Sequence, residues 1–489
     1  MANDQIPGNL RTPFVSVAFD ASQARQGASL LNYRALLLGQ MTDDGSATAD
    51  EQVLITSAVQ AEALFGAGSQ LALMATSWFK ANTFTELYAI PLADAGAAVA
   101  AGGSIALSGA PTQAGTIALY IGGQRVPVVA ASGATAATLA TAVAAAITAA
   151  SSLPVSAEVN GDTDTQVDLT AKNAGTAGND IDVRVNYNTG EALPAGLTVT
   201  ITPMANGATD PSLADAITAM GDDWFNIIAH PWANATVLAE LETELADRAG
   251  PLRQIDGVAF TAAIGSPGTL TTLGGGRNSQ FSTIVAATGI PNTPFEVAAS
   301  VAGIVALAGQ ADPARPFQTL ALPGILAPWA ADRFTQAERN TLLFNGIATV
   351  KTAAGGVVQI ERLVTTYQEN AAGASDDAYL DVETVLTLMY LRYDFRNRIQ
   401  TKYPRHKLGD DGVLYGEGQP VMTPSIGRAE AIAWFRDMEQ LALVEDIEQF
   451  KADLVVTRDA VDRNRLNWTL PPDLINQLRV SAAVVQFRL

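Results

Sequence analysis

DDAYLDVETVLTLMYLRYDFRNRIQTKYPRHK, residues 376–407, is the stretch from which the fold is read outward. Val382, Val385, Leu386, Met389 and Tyr393 recur at the spacing of one helix face. Leu388, Leu391, Phe395 and Ile399 continue beside them, which predicts a long helix buried over more than one side. Asp376 and Asp377 suit the positive end of a helix dipole and predict the start. Pro404 predicts the end, because proline lacks the N–H and clashes with the preceding turn. At about 1.5 Å per residue, about 28 residues make a rod of about 40 Å. The last turns carry Arg392, Arg396, Arg398, Lys402, Arg405 and Lys407 against Asp394 alone. Cations that satisfy the helix dipole account for such a cluster, and so does a basic partner site.

Upstream of this helix the pattern is α/β. Residues 34–41 and 86–92 read as apolar strands, with helices over 57–64 and 69–81 between them. That is one crossover unit of a parallel sheet. The pattern resumes with helix 213–220, strand 224–229, helix 236–248, strand 257–263, strand 282–287 and helix 294–308. Joined, the two halves predict a mixed or parallel sheet of at least five strands with helices on its faces. Residues 274–277 read as a turn and the proline-rich stretch 311–329 as a surface connection. A helix over 335–344 and a hairpin of 347–351 with 357–361 follow. Between the halves, 95–103 is almost all Ala and Gly, a linker, and the next hundred residues are small and β-prone with one Ala-rich helix over 135–149.

Downstream, residues 429–450 read as an amphipathic helix with Ile432, Phe435, Leu441, Val444 and Ile447 inward. A strand over 453–457, a break at Pro471-Pro472, a helical turn over 474–478 and a β-prone end over 479–489 complete the chain. At the opposite end, Val15, Val17 and Phe19 alternate with Ser16 and Ala18 in a strand that has little sequence nearby to pair with. The expected division is an N-terminal arm with an exchangeable strand (1–33) and an α/β body (34–94 and 207–370) interrupted by an inserted β-rich protrusion module (95–206). An α+β C-terminal domain (371–470) and a C-terminal strand arm (471–489) follow.

With 489 residues, the chain is long enough for about three domains whose cores need no metal or disulfide. It has no cysteine, which excludes disulfide frameworks, thiolate metal sites and cysteine nucleophiles. A net charge of −20 argues against broad binding to nucleic acid and leaves room for a local basic site. The Ala-rich tract 135–150 is too short to span a bilayer.

The tyrosine-rich helix, its basic end and KLGDDG (407–412) resemble the C-terminal region of contractile-tail sheath proteins from Mu-like phages. The resemblance continues in the same order through VTRDAVDRNRLNWTLPPDLINQLRVSAAVVQFRL (456–489). The β-rich stretch, with its glycine hairpin, Ala-rich helix and AGTAGN (174–179), resembles a module recurring in phage virion proteins, sheath protrusions included. The resemblance implies a structural polymer: sixfold rings stacked helically around a tail tube, contracting to drive the tube through the host envelope. It implies copies of the chain itself, a tail tube protein, a baseplate and a tail terminator as partners, with no direct nucleic-acid contact and no membrane insertion. The place implied is the virion tail, reached by assembly in the host cytoplasm. Strands exchanged between subunits would carry Val15, Val17, Phe19, Val480, Val484, Val485, Phe487 and Leu489. Arg396, Arg398, Lys402 and Lys407 are the tube-facing candidates. A phage-derived bacteriocin or injection machine fits the same resemblance.

Members of this family are sometimes described as having a subtilisin-like domain, so a catalytic triad has to be sought. There are two histidines, His230 at an expected strand end and His406 in the basic run. No G-x-S-x-G is present, and the serines nearest to turns are Ser266 in GSPG and Ser279 in GGGRNSQ. A hydrolase using His230 is the rival reading, and a monomeric binding module built on the β-rich stretch is a third. Gly274-Gly275-Gly276-Arg277 lacks the spacing and lysine of a phosphate loop. Asp162, Asp164 and Asp168 lack the glycine and glutamate of a calcium loop, and turn chemistry around Asn160-Gly161 accounts for them. No catalytic residue, cofactor or metal is expected.

Overall fold

In a computed structural model, residues 31–488 are described. The expected strand with Val15, Val17 and Phe19, and Leu489 at the other end, lie outside them. The body is built on an eight-stranded sheet in the order Val358–Arg362, Ile347–Thr352, Ser282–Ala286, Val258–Ala263, Ile227–Ala229, Arg34–Gln40, Glu86–Leu92 and Val53–Ile55. The six inner strands are parallel and the two outermost run antiparallel. Arg34–Gln40 is the pivot: Ala35 pairs with Leu87 on one side and with Ile227 on the other, so the chain's two halves meet there. Its residues from Ala35 to Gln40 are all buried, as a parallel strand covered on both faces requires.

Helices Gln70–Ala81 and Pro294–Ala311 pack on this sheet and on each other. Gly303 permits their approach, since a Cβ there would stand 3.1 Å from that of Ala81. Asn82 at the end of the first helix donates to the Gly303 carbonyl at 3.0 Å. Pro294–Ala311 is long and apolar enough to cross a bilayer, with mean hydropathy 1.4, but it is a core helix, buried over most of its length. Its start is fixed by a capping box, with Thr293 N–H donating to Glu296 Oε2 at 3.2 Å.

The proline-rich stretch departs from the expected surface connection. Phe317 and Leu322 are buried, and residues 319–322 bond along the outermost strand through Thr319 N–H to Ile360 O (2.8 Å) and Leu322 N–H to Val358 O (2.9 Å). The stretch covers a sheet edge that would otherwise present unpaired backbone groups. Pro267–Gly275 is a helix where the sequence suggests only a turn. Ser266 caps it and proline occupies its first position, while its threonines and glycines hide it from a periodicity reading.

Residues 100–205 form two sheets with a core of their own. Leu197–Ala205, Ala100–Gly109, Gln166–Ala174 and Val155–Val159 make one; Gln124–Ala130, Gly115–Ile121 and Val183–Val185 make the other. The helix Ala136–Ala149, capped by Thr135, buries Leu139, Val143 and Ile147 among them. The expected linker 95–103 is strand from Ala100 onward. Gly103 is needed there because a Cβ would lie 2.8 Å from the Met204 sulfur and 2.9 Å from Thr202 O. Polar ties join these sheets to the body: Lys172 Nζ donates to Ala67 O (2.8 Å), and Asn173 Nδ2 to Met41 O (2.8 Å). Tyr187 stacks on Trp329 with ring centres 6.4 Å apart, and its hydroxyl donates to Ala327 O.

The long helix runs from Val382 to Lys402, 21 residues, and stops before Pro404 as expected. Its start lies beyond Asp376 and Asp377. Asp376 accepts from Tyr367 Oη (2.6 Å) and Ala378 N–H, and Asp381 bridges to Val364 and binds Arg362. Asp376 therefore organises the loop before the helix, while Asp381 stands directly before Val382 with its carbonyl accepting from Val385 N–H at 3.4 Å. The chain divides at Tyr390, and residues 391–475 form a second compact unit.

In that unit the expected helix 429–450 is two helices, Pro424–Gln440 and Ile447–Asp453. Ala442 and Asp446 adopt left-handed backbone (φ 56° and 57°), which no helix continues through. Leu441 is therefore exposed, while Trp434, Phe435 and Met438 form the buried face. Val444–Glu445 between them pairs antiparallel with Asp473–Leu474, replacing the helical turn expected over 474–478. Val455–Arg458 finds its partner in Leu466–Thr469.

Candidate assembly surfaces

The C-terminal segment combines apolar composition with exposure. Val480, Val484, Val485 and Phe487 are between 80 and 89% exposed, and residues 479–488 belong to no strand. Burying four such side chains contributes about 1.5–3 kcal/mol each. Alone, the chain leaves this contribution unrealised.

The hairpin Val455–Arg458 with Leu466–Thr469 is a two-stranded sheet, and among the described residues no further strand joins it. One of its faces is covered: Trp468 meets Phe395 edge-on (ring centres 5.3 Å), and a Cβ on Gly427 of helix Pro424–Gln440 would stand 2.9 Å from the Trp468 ring. Its turn is set by Asp459, held at about 2 by the Asn467 amide and by the Asp462 and Val461 N–H groups. Val461 at the tip is 95% exposed.

The basic end of the long helix is largely answered within its own unit. Arg398 pairs with Glu430 and, at 2.6 Å, with Asp437; Lys402 reaches Glu430 at 2.8 Å, and Tyr403 Oη donates to it at 2.6 Å. Burial alone would raise the Glu430 carboxyl, but hydrogen bonds from Lys402, Tyr403 and Arg398 hold it below its ordinary value. Lys407 is exposed, with Nζ 2.9 Å from Gln419 Oε1, and Arg396 is half-buried. Of the four tube-facing candidates, Arg398 and Lys402 therefore stand in internal ion pairs.

Residues 206–366 match the phage tail sheath protein central domain, and residues 374–488 the phage tail sheath C-terminal domain. Over 484 residues the chain is 41% identical to the Mu-like prophage FluMu tail sheath protein of Haemophilus influenzae, covering 99% of each. The chain belongs to the phage tail sheath family. Solved structures similar to it include the sheath tail protein of Desulfitobacterium hafniense (14% identity, TM-score 0.48, 94% of this chain and 100% of that one). Another is the sheath complex of an extracellular contractile injection system in its contracted state (9% identity, TM-score 0.49, 98% of each chain).

This sheath protein is a structural component of the virion tail and not an enzyme. His230 is fully buried at the end of Ile227–Ala229, and neither ring nitrogen meets a side-chain partner among the described residues. Burial holds it down at about 4, offset in part by the backbone at Trp232. Ser266 caps a helix, accepting from Thr269 N–H at 3.1 Å, and Ser279 accepts from Phe281 N–H at 3.2 Å, so neither serves His230. Gly274 and Gly275 close the helix that Ser266 opens, and Arg277 is paired with Glu242. Asn160 Oδ1 accepts from the Asp162 and Thr163 N–H groups in the expected turn. No group of residues suited to hold a metal occurs among the described residues.

Proposed function

We propose that this sheath protein polymerises around a tail tube as sixfold helical rings, each subunit lending its terminal strands to neighbouring subunits. The observation that carries this reading is the C-terminal segment, which is apolar, 80–89% exposed at four large side chains and without a strand partner. An extended segment satisfies its backbone groups by joining a sheet edge. The hairpin of Val455–Arg458 and Leu466–Thr469 is the natural acceptor on the next copy, since a two-stranded sheet is marginal and gains from added strands. Val15, Val17, Phe19 and Leu489 complete the proposed exchanged set. Such a contact is head-to-tail and propagates as a filament. The lattice stores energy in an extended state, and repacking shortens and widens the sheath, driving the tube through the host envelope without nucleotide.

Residues 95–206 form the outward module in this reading. Arg396, Arg398, Lys402 and Lys407 are the tube-facing candidates in this reading; Lys407 is exposed, whereas Arg398 and Lys402 are committed to Glu430. Assembly takes place in the host cytoplasm on a tube, bounded by a baseplate and a terminator. The test is removal of residues 480–489. The shortened chain should melt cooperatively with near-native circular dichroism and fail to sediment as rings or tubes. A stable shortened chain that still polymerises would refute the donated strand.

A further inference from the structure

We infer that the C-terminal arm is clamped to the body at Arg479, so that the segment available to a neighbouring copy of this chain begins at Val480. This rests on the donated-strand reading and adds where the strand leaves its own subunit and how far it reaches. The clamp has two acidic jaws at the start of the long helix. Arg479 Nη2 lies 3.1 Å from Asp381 Oδ1 and 3.0 Å from Glu383 Oε1. Asp381 is held from its other side by Arg362, whose Nε and Nη2 reach its two oxygens at 2.8 and 2.9 Å. Glu383 is wholly buried, and its Oε1 also accepts from Phe317 N–H at 2.9 Å.

The asymmetry of burial gives the clamp its strength. A buried carboxylate that loses its cation is left uncompensated, which is far more costly than breaking an exposed pair. Arg479 is the cation that answers Glu383, and burial of that carboxyl works against its ionised form while Arg479 favours it. Two neighbouring residues are tied as well: Gln477 Nε2 donates to Ala314 O (3.4 Å) and Gln318 Nε2 to Leu478 O (3.3 Å). The Leu478 and Val480 side chains on either side are 75 and 83% exposed, so the Arg479 side chain is the largely buried anchor between them. Among the described residues, Arg479 is the last of the chain that is tied to the body. Residues 480–488, at about 3.3–3.6 Å each, extend about 30 Å from Arg479 when fully stretched. Traction on a donated strand ends at Arg479 and passes into the long helix and the body sheet through Glu383, Asp381 and Arg362.

The experiment uses full-length free subunit at a dilution where no polymer sediments, with cleavage followed by mass spectrometry. Trypsin cuts after Arg479 and chymotrypsin after Phe487, and each rate is compared with that of the urea-unfolded chain. Proteolysis of this kind follows the population of the opened segment, so the Arg479 cut should be slowed ~100-fold or more and the Phe487 cut less than ~10-fold. Glu383→Gln keeps the shape and removes the charge; it should accelerate the Arg479 cut ~10-fold and leave the Phe487 cut unchanged. Arg479→Lys keeps the charge and a cleavable bond and should stay slow. Cleavage after Arg479 as fast in the folded wild-type chain as after Phe487 would overturn the clamp. No polymer enters this measurement, so its failure is distinct from that of the donated strand, which removal of residues 480–489 tests.

Discussion

The body sheet and the C-terminal unit solve the same problem to different degrees. In the body, eight strands lie in one sheet, the strand Val358–Arg362 at its edge is covered by residues 319–322, and core positions such as Leu36, Phe260 and Val285 are fully buried. In the unit of residues 391–475, the described strands pair only two by two, as 407–408 with 421–422, 444–445 with 473–474, and 455–458 with 466–469. Its core is instead aromatic, with Trp434, Phe435, Phe450 and Phe395 in contact. The difference teaches where a subunit ends and its lattice begins. A sheet finished within one chain supplies a rigid body, whereas short sheets with open edges keep part of their stabilisation for a partner.

The contrast is broken most directly from the body side. Phe260→Ala removes a wholly buried ring from the central sheet and should lower the stability of the free subunit by about 3–5 kcal/mol, read as a fall in its melting temperature. A loss below about 1 kcal/mol would mean that the body sheet is not the rigid element claimed for it.

Acid provides the next test. The folded pKa of His230 lies at about 4, below the ordinary value of 6.5, because burial disfavours the imidazolium. Between those values the unfolded chain binds the proton and the folded one does not, so this group's contribution to stability falls as pH drops from about 6.5 to about 4. The full effect is about 3 kcal/mol, of the size that a shift of this order implies. His230→Leu should flatten that part of the stability–pH curve, measured by urea unfolding at several pH values. An unchanged slope in the variant would show that His230 carries no charge penalty.

The smallest effect on the free subunit belongs to the arm. Val484→Asp alters an exposed side chain outside every strand and should shift subunit stability by less than about 0.5 kcal/mol. The same change places a carboxylate in the donated strand and should abolish sedimenting polymer. Equal loss of stability in subunit and polymer would erase the distinction between the two regions.

How much of this was legible beforehand depended on whether local signals or distant partners decided each feature. The strands Arg34–Gln40 and Glu86–Leu92, the helix Gln70–Ala81 and the end of the long helix at Pro404 follow from apolar runs, caps and proline geometry, which act within a few residues. The absence of thiolate chemistry and the phage-sheath resemblance were likewise contained in the sequence. Other features were settled only by contacts far along the chain. Asp376 and Asp377 look like helix-opening acids, but the helix begins at Val382 and Tyr367 claims Asp376. The helix over 429–450 breaks because Val444–Glu445 finds Asp473–Leu474, a pairing that periodicity does not encode. Arg398 and Lys402 read as an open basic patch until Glu430 and Asp437, about thirty residues on, neutralise them. The division of the C-terminal arm at Arg479 is of the same kind. Sequence alone predicted a continuous strand from that residue, and only the folded chain brings Asp381 and Glu383 to hold its first side chain while leaving the next in solvent. Local propensity acts through the backbone of neighbouring residues; the pairing of buried charges depends on where the fold places residues about a hundred positions apart.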